Sequence, residues 1–115
     1  MILPNATRAY VPAEKMLDFL LSPTHHRGKS KAVFFGRFGF TAANWKELAA
    51  SLIRHAMENE VLKIATSRYG TRYVIDGLLR SPDGSSLNVR SVWFIPAGED
   101  APRFTTAHPL KREWR

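Results

Sequence analysis

The chain contains no cysteine. That absence excludes a disulfide scaffold, a thiolate nucleophile and Cys-based zinc or iron–sulfur sites, and it fits a reducing cytoplasm. Carboxylates are scarce: 10 Asp and Glu stand against 17 Lys and Arg, for a formal net charge of +7. Such an excess points to an anionic partner (nucleic acid, an acidic protein or anionic lipid) or else serves solubility. No apolar run reaches the ~18–20 residues that span a bilayer. Met1-Ile2-Leu3-Pro4-Asn5 lacks the positive n-region of a secretory leader. There is no internal repeat, low-complexity tract or evident linker.

Cofactor motifs are missing as well. Neither a GxGxxG nor a Walker pattern occurs, so no nucleotide cofactor is expected. The four histidines, His25, His26, His55 and His108, show no HExxH and no metal-loop spacing, so no metal is expected either. Glu58 with Glu60, and Glu99 with Asp100, read as solvated surface rather than acid–base dyads. No nucleophile elbow supports serine hydrolysis.

What is present is a core. Hydrophobic residues make up 44% of 115, with 7 Phe, 3 Trp and 3 Tyr, which suits one domain over residues 1–115. Pro12 suits a first helical turn, and Met16, Leu17, Leu20 and Leu21 follow at helical spacing until Ser22-Pro23 stops them. A short helix is predicted over Lys31–Phe38, with Gly39 as a left-handed cap. Thr41 reads as the N-cap of a longer helix whose face carries Trp45, Leu48, Ala49, Leu52, Ile53 and Ala56.

The second half reads as strands. They fall at Val61–Thr66, Thr71–Gly77, Leu87–Ile95 and Arg103–Ala107. The turns between them are Ser67–Gly70, Pro82-Asp83-Gly84 and Pro96–Asp100. Helices followed by closely spaced strands predict an α+β fold: N-terminal helices packed on one face of a three- to four-stranded antiparallel sheet. The other face is then free to be polar.

The charge is unevenly placed. No carboxylate occurs between Asp18 and Glu47, where Arg27, Lys29, Lys31, Arg37 and Lys46 accompany His25 and His26. Lys111, Arg112 and Arg115 close the chain. The chemistry this composition permits is cleavage of a phosphodiester without metal. Attack by a ribose 2′-OH needs a base, an acid and fixed cations for the phosphorane charge. His, Lys, Arg and Thr can supply all three.

A resemblance sharpens this. The run His25-His26-Arg27-Gly28-Lys29-Ser30-Lys31-Ala32 has the form H-x-x-G-x-x-K-A. Leu3-Pro4-Asn5-Ala6, Gly39-Phe40 with Trp45, and Gly70-Thr71-Arg72-Tyr73 with Gly77 accompany it. Val89-Arg90-Ser91-Val92-Trp93 follows, and Pro102-Arg103-Phe104-Thr105-Thr106-Ala107-His108-Pro109 closes the pattern. In order, over residues 2–109, these motifs resemble a bacterial family of uncharacterised domains. That family is in turn similar in layout to the small metal-independent ribonuclease toxins of the barnase, EndoU, colicin and RelE type.

The resemblance implies an endoribonuclease toxin acting in a cytoplasm, its own or a target cell's, and held in check by an antitoxin or immunity protein. A basic toxin implies an acidic inhibitor, because opposite charge speeds encounter and masks the RNA face. It implies catalytic roles for His25, Lys31, Arg90, Thr106 and His108, and contacts to RNA from Arg27, Lys29, Arg72, Trp93 and Lys111. His108 stands where the family often has Tyr. Trp93 has two readings, a core residue or a stacking platform for unpaired bases. The alternative for the whole domain is a non-catalytic basic module that binds RNA or an acidic partner protein.

Overall fold

The computed structural model describes residues 1–17, 21 and 29–110. Its centre is a four-stranded antiparallel sheet, β1 (Val61–Ser67), β2 (Gly70–Arg80), β3 (Ser86–Pro96) and β4 (Arg103–Pro109), in the order β1-β2-β3-β4. Among the described residues three α-helices precede it: α1 (Ala13–Lys15), α2 (Lys29–Gly36) and α3 (Trp45–Glu58). The predicted α+β class and the packing of helix on one sheet face both hold. Among the described residues no helix is long and apolar enough to cross a membrane.

Of the first predicted helix, Ala13–Lys15 is regular α-helix, Met16 and Leu17 are of the π type, and residues 18–20 lie outside the described residues. Leu21 N–H donates to the carbonyl of Met16 at 2.8 Å, the i to i−5 bond of that type. Met16 and Leu21 are buried all the same.

α2 begins two residues earlier than expected, and its end shows why the sequence signal extends to Phe38. Phe40 N–H bonds the Phe35 carbonyl and Gly39 N–H bonds the Gly36 carbonyl, both at 3.1 Å. This pair of bonds is a Schellman motif. It needs a left-handed residue after the cap, and Gly39 supplies it at φ 95°. The accompanying apolar contact is Phe35 against Phe40, ring centroids 6.1 Å apart.

Asn44 then anchors the next segment. Its Oδ1 accepts from Thr41 N–H at 2.7 Å and its Nδ2 donates to the Gly39 carbonyl at 2.8 Å. A 3-10 turn, Ala42–Asn44, leads into α3. Leu48, Leu52, His55 and Ala56 form the buried stripe of α3, spaced four, three and one residues apart as a single helix face demands.

The sheet shows strict two-sidedness. Tyr73, Ile75 and Leu79 of β2, Leu87, Val89, Ser91 and Trp93 of β3, and Phe104 and Ala107 of β4 face the helices. Arg72, Val74, Asp76, Asn88, Arg90, Val92 and Phe94 point the other way, as the period of two requires. The β3–β4 ladder carries a bulge: Val92 pairs with Thr106 while Trp93 pairs with Phe104, leaving Thr105 as the extra residue. The hairpin between β2 and β3 turns on Asp83, whose carboxylate accepts from the Ser81 hydroxyl at 2.6 Å and the Ser85 N–H at 2.9 Å.

One polar network lies inside the core. His55 Nε2 faces the carbonyls of Gly77 (3.1 Å) and Val89 (3.0 Å). Carbonyls only accept, so Nε2 carries the proton and Nδ1 is the acceptor. Ser91 Oγ donates to that Nδ1 at 3.0 Å and accepts from Trp93 Nε1–H at 2.9 Å. Every buried side-chain polar atom among the described residues has a partner. Burial pushes the His55 imidazole below its ordinary value, against the opposing pull of the two carbonyl bonds, so the ring is held neutral.

Candidate functional site on the open sheet face

The uncovered face carries a row of three charged or titratable residues in register. Asp76 on β2 lies opposite Arg90 on β3, which lies opposite His108 on β4. Direct opposition puts their Cβ atoms about 4.5–5.5 Å apart. Asp76 grips Arg90 in a fork, Nε to Oδ1 at 2.7 Å and Nη2 to Oδ2 at 2.9 Å. The fork uses two of the five guanidinium donors. The other three bond no group among the described residues, on a cation whose plane is fixed and whose charge is partly offset.

Lys31 comes to this row from α2. Its Nζ donates to Thr106 Oγ1 at 3.0 Å. Thr106 and His108 are both on β4, two residues apart, and therefore share the open face. The Lys31 ammonium is pushed below the usual lysine range, first by burial and then by the nearby Lys15 of α1. His108 is half-buried, and its imidazole is also held below its ordinary value, first by burial and then by the charges of Lys31 and Arg90, with Asp76 opposing. Lys31, Thr106, Arg90 and His108 are thus brought together: two cations, a hydroxyl and a neutral imidazole on one patch of sheet.

The other expected residues are distributed as follows. Arg72 is exposed on the same face, four residues along β2 from Asp76. Lys29 occupies the first position of α2. His25, Arg27 and Lys111 lie outside the described residues. Trp93 departs from the stacking role: it is fully buried on the helix-covered face, edge-on to Phe104 with centroids 5.5 Å apart. Its position is one residue out of phase with Arg90 and Val92, and a buried ring has no face to offer a base.

Two participants escaped the sequence reading. Asp76 is one, and its signal was a lone carboxylate in the middle of an apolar strand. Lys15 is the other, and nothing in its short segment marks it. Among the described residues no three His, Asp or Glu side chains converge on a common point.

An α+β domain whose antiparallel sheet is covered on one side and cationic on the other is the class this geometry defines. The chain belongs to the family described as Domain of unknown function (DUF6883), whose model matches residues 2–111. The fold is similar to that of a solved structure described as a contact-dependent growth inhibition toxin–immunity protein complex from Klebsiella pneumoniae 342. The TM-score is 0.72 at 21% sequence identity, covering 93% of this chain and 97% of that one. No curated protein matches the chain.

Proposed function

We propose that this domain is a metal-independent endoribonuclease toxin, neutralised by a cognate acidic immunity or antitoxin protein. The observation that carries the reading is the Lys31–Thr106 contact at 3.0 Å, set beside a His108 whose imidazole is held neutral. It is supported by the net charge of +7 and by a similar fold in a toxin–immunity complex.

In this reading neutral His108 takes the 2′-OH proton. The 2′-oxygen attacks phosphorus, the bond to the 5′-oxygen breaks, and the products are a 2′,3′-cyclic phosphate and a 5′-hydroxyl. Lys31, Thr106 and the three outward donors of Arg90 meet the negative charge that grows on the non-bridging oxygens. On the strength of its motif, His25 is assigned the return of a proton to the departing 5′-oxygen. Preorganised donors of this kind contribute most because Asp76 and Thr106 hold them in place before substrate arrives.

The alternative, a basic module that holds RNA or an acidic protein without cleaving it, draws on the Arg90–Asp76 fork, which offsets part of the charge a phosphorane needs. Total bacterial RNA incubated with the purified domain in excess EDTA separates the two. Fragments ending in cyclic phosphate are expected, with Lys31→Ala and His108→Asn each lowering the rate about 10²–10³-fold at unchanged melting temperature. Intact RNA from the wild type hands the function to the binding reading.

A further inference from the structure

A second cleft opens on the same face, beyond the Asp76–Arg90–His108 row. It encloses about 450 Å³, and Arg72, Phe94, Arg103 and Thr105 line it together with Ala65, Thr66 and Ser67. The register explains its make-up. Arg72 lies opposite Phe94, and Phe94 lies opposite Arg103, so the aromatic position stands between two arginine positions on neighbouring strands. Phe94 is half-buried and both arginines are exposed. Neither arginine belongs to an ion pair among the described residues. Thr105, the bulge residue, is turned into this cleft because the extra position in β4 breaks the alternation. A larger cleft of about 580 Å³ at the β2–β3 hairpin sets Glu58 beside Arg80 and lacks this concentration of cations.

From this we infer that the Arg72–Phe94–Arg103 cleft is a subsite for single-stranded RNA. Phe94 stacks an unpaired base, and Arg72 and Arg103 hold the phosphates on either side of it. A ring's π-face accepts any base, and unpaired guanidiniums are suited to phosphate. Four residues of strand separate this row from the Arg90 row, about 13 Å at ~3.3 Å per residue, which a stretched strand spans in a couple of nucleotides. The inference rests on the ribonuclease reading for its place in catalysis, but the binding it asserts is measurable without cleavage.

The test uses a fluorescein-labelled 2′-O-methyl oligouridine, which lacks the attacking hydroxyl, titrated with the full chain at several salt concentrations. Phe94→Ala is expected to weaken binding about tenfold, a typical loss for one stacked base. The Arg72→Ala/Arg103→Ala double variant is expected to flatten the slope of log K against log salt by about 1.4, or 0.7 per phosphate contact on a single strand. The two arginines are exposed, so their variant decides the matter even if Phe94→Ala does not fold.

Unchanged affinity and slope overturn the subsite. So does failure of the wild type to bind the probe. The same holds if the substitutions weaken binding of an acidic immunity protein while leaving the oligonucleotide untouched, which makes the cleft a protein contact. Binding that behaves as expected, with unmodified RNA left uncut, overturns the ribonuclease reading and leaves the subsite standing.

Discussion

Two histidines sit on opposite sides of one sheet, and both have imidazoles held below their ordinary value, chiefly by burial. There the likeness ends. His55, on the covered face, spends both ring nitrogens on Ser91 and on the carbonyls of Gly77 and Val89. His108, on the open face, is half-exposed and feels the cations Lys31 and Arg90. The first is neutral because burial disfavours the charged ring more than its two carbonyl partners favour it, and with both nitrogens engaged it has no lone pair left for a substrate. The second is neutral first because of its partial burial and then because the cations Lys31 and Arg90 oppose its protonation, and in the proposed reading those cations are the groups a phosphate would meet. A depressed histidine therefore marks chemistry only where its nitrogens remain accessible.

The comparison can be broken most forcefully on the covered side. Trp93→Ala removes a fully buried ring and is expected to cost about 3–5 kcal/mol, seen as a large drop in the denaturant midpoint. A loss below 1 kcal/mol, with weakened RNA binding, would return Trp93 to the open face.

Ser91→Ala should cost less, about 1–3 kcal/mol, because it leaves Trp93 Nε1–H and His55 Nδ1 without partners in a dry core. RNA cleavage at saturating substrate should be unaffected, since the serine reaches only the helix side.

The smallest effects are in pH. His55 has a folded-state pKa below its ordinary 6.5, so below that pH the unfolded chain binds more protons than the folded one. Stability is complete above about pH 6.5 and declines as pH falls from there, until the folded ring itself protonates. Urea midpoints across that window should show the decline, and His108→Asn should retain most of it. Cleavage should follow the other ring. Because His108 must be neutral to accept a proton, the acid limb of kcat/KM is expected below the ordinary imidazole range and should vanish from residual activity in His108→Asn. A limb above pH 7 would remove His108 from the base role.

Much of this fold was legible because local chemistry and tertiary structure agree. Pro82-Asp83-Gly84 turns where expected because the Asp83 carboxylate ties Ser81 and Ser85 together. Gly39 stops α2 because only a residue at ease with φ 95° lets Phe40 reach back to Phe35. Val89 and Val92 break strict alternation because Val89 joins the core, whereas Val92, also buried, lies on the open face outside the core cluster.

His55 continues the buried stripe of Leu48, Leu52 and Ala56, but its partners on β2 and β3 had no local trace. The site was legible as residue types and not as geometry. Arg90 is singled out through the family resemblance, yet its partner Asp76 is set by strand register. Lys31 is brought to Thr106 by a contact between a helix and the last strand.

That last contact orders events in time. Each strand pairs with its immediate neighbour in sequence, so the sheet can zip from its hairpins with short loops to close. The bond between Lys31 and Thr106 joins residues 75 positions apart. Its closure entropy has to be met before Lys31 joins Arg90, Thr106 and His108, which strand pairing alone has already brought together. In refolding, β-structure should therefore appear before the Lys31–Thr106 contact, and a chain caught between the two stages would carry a finished sheet that still lacks the ammonium of Lys31.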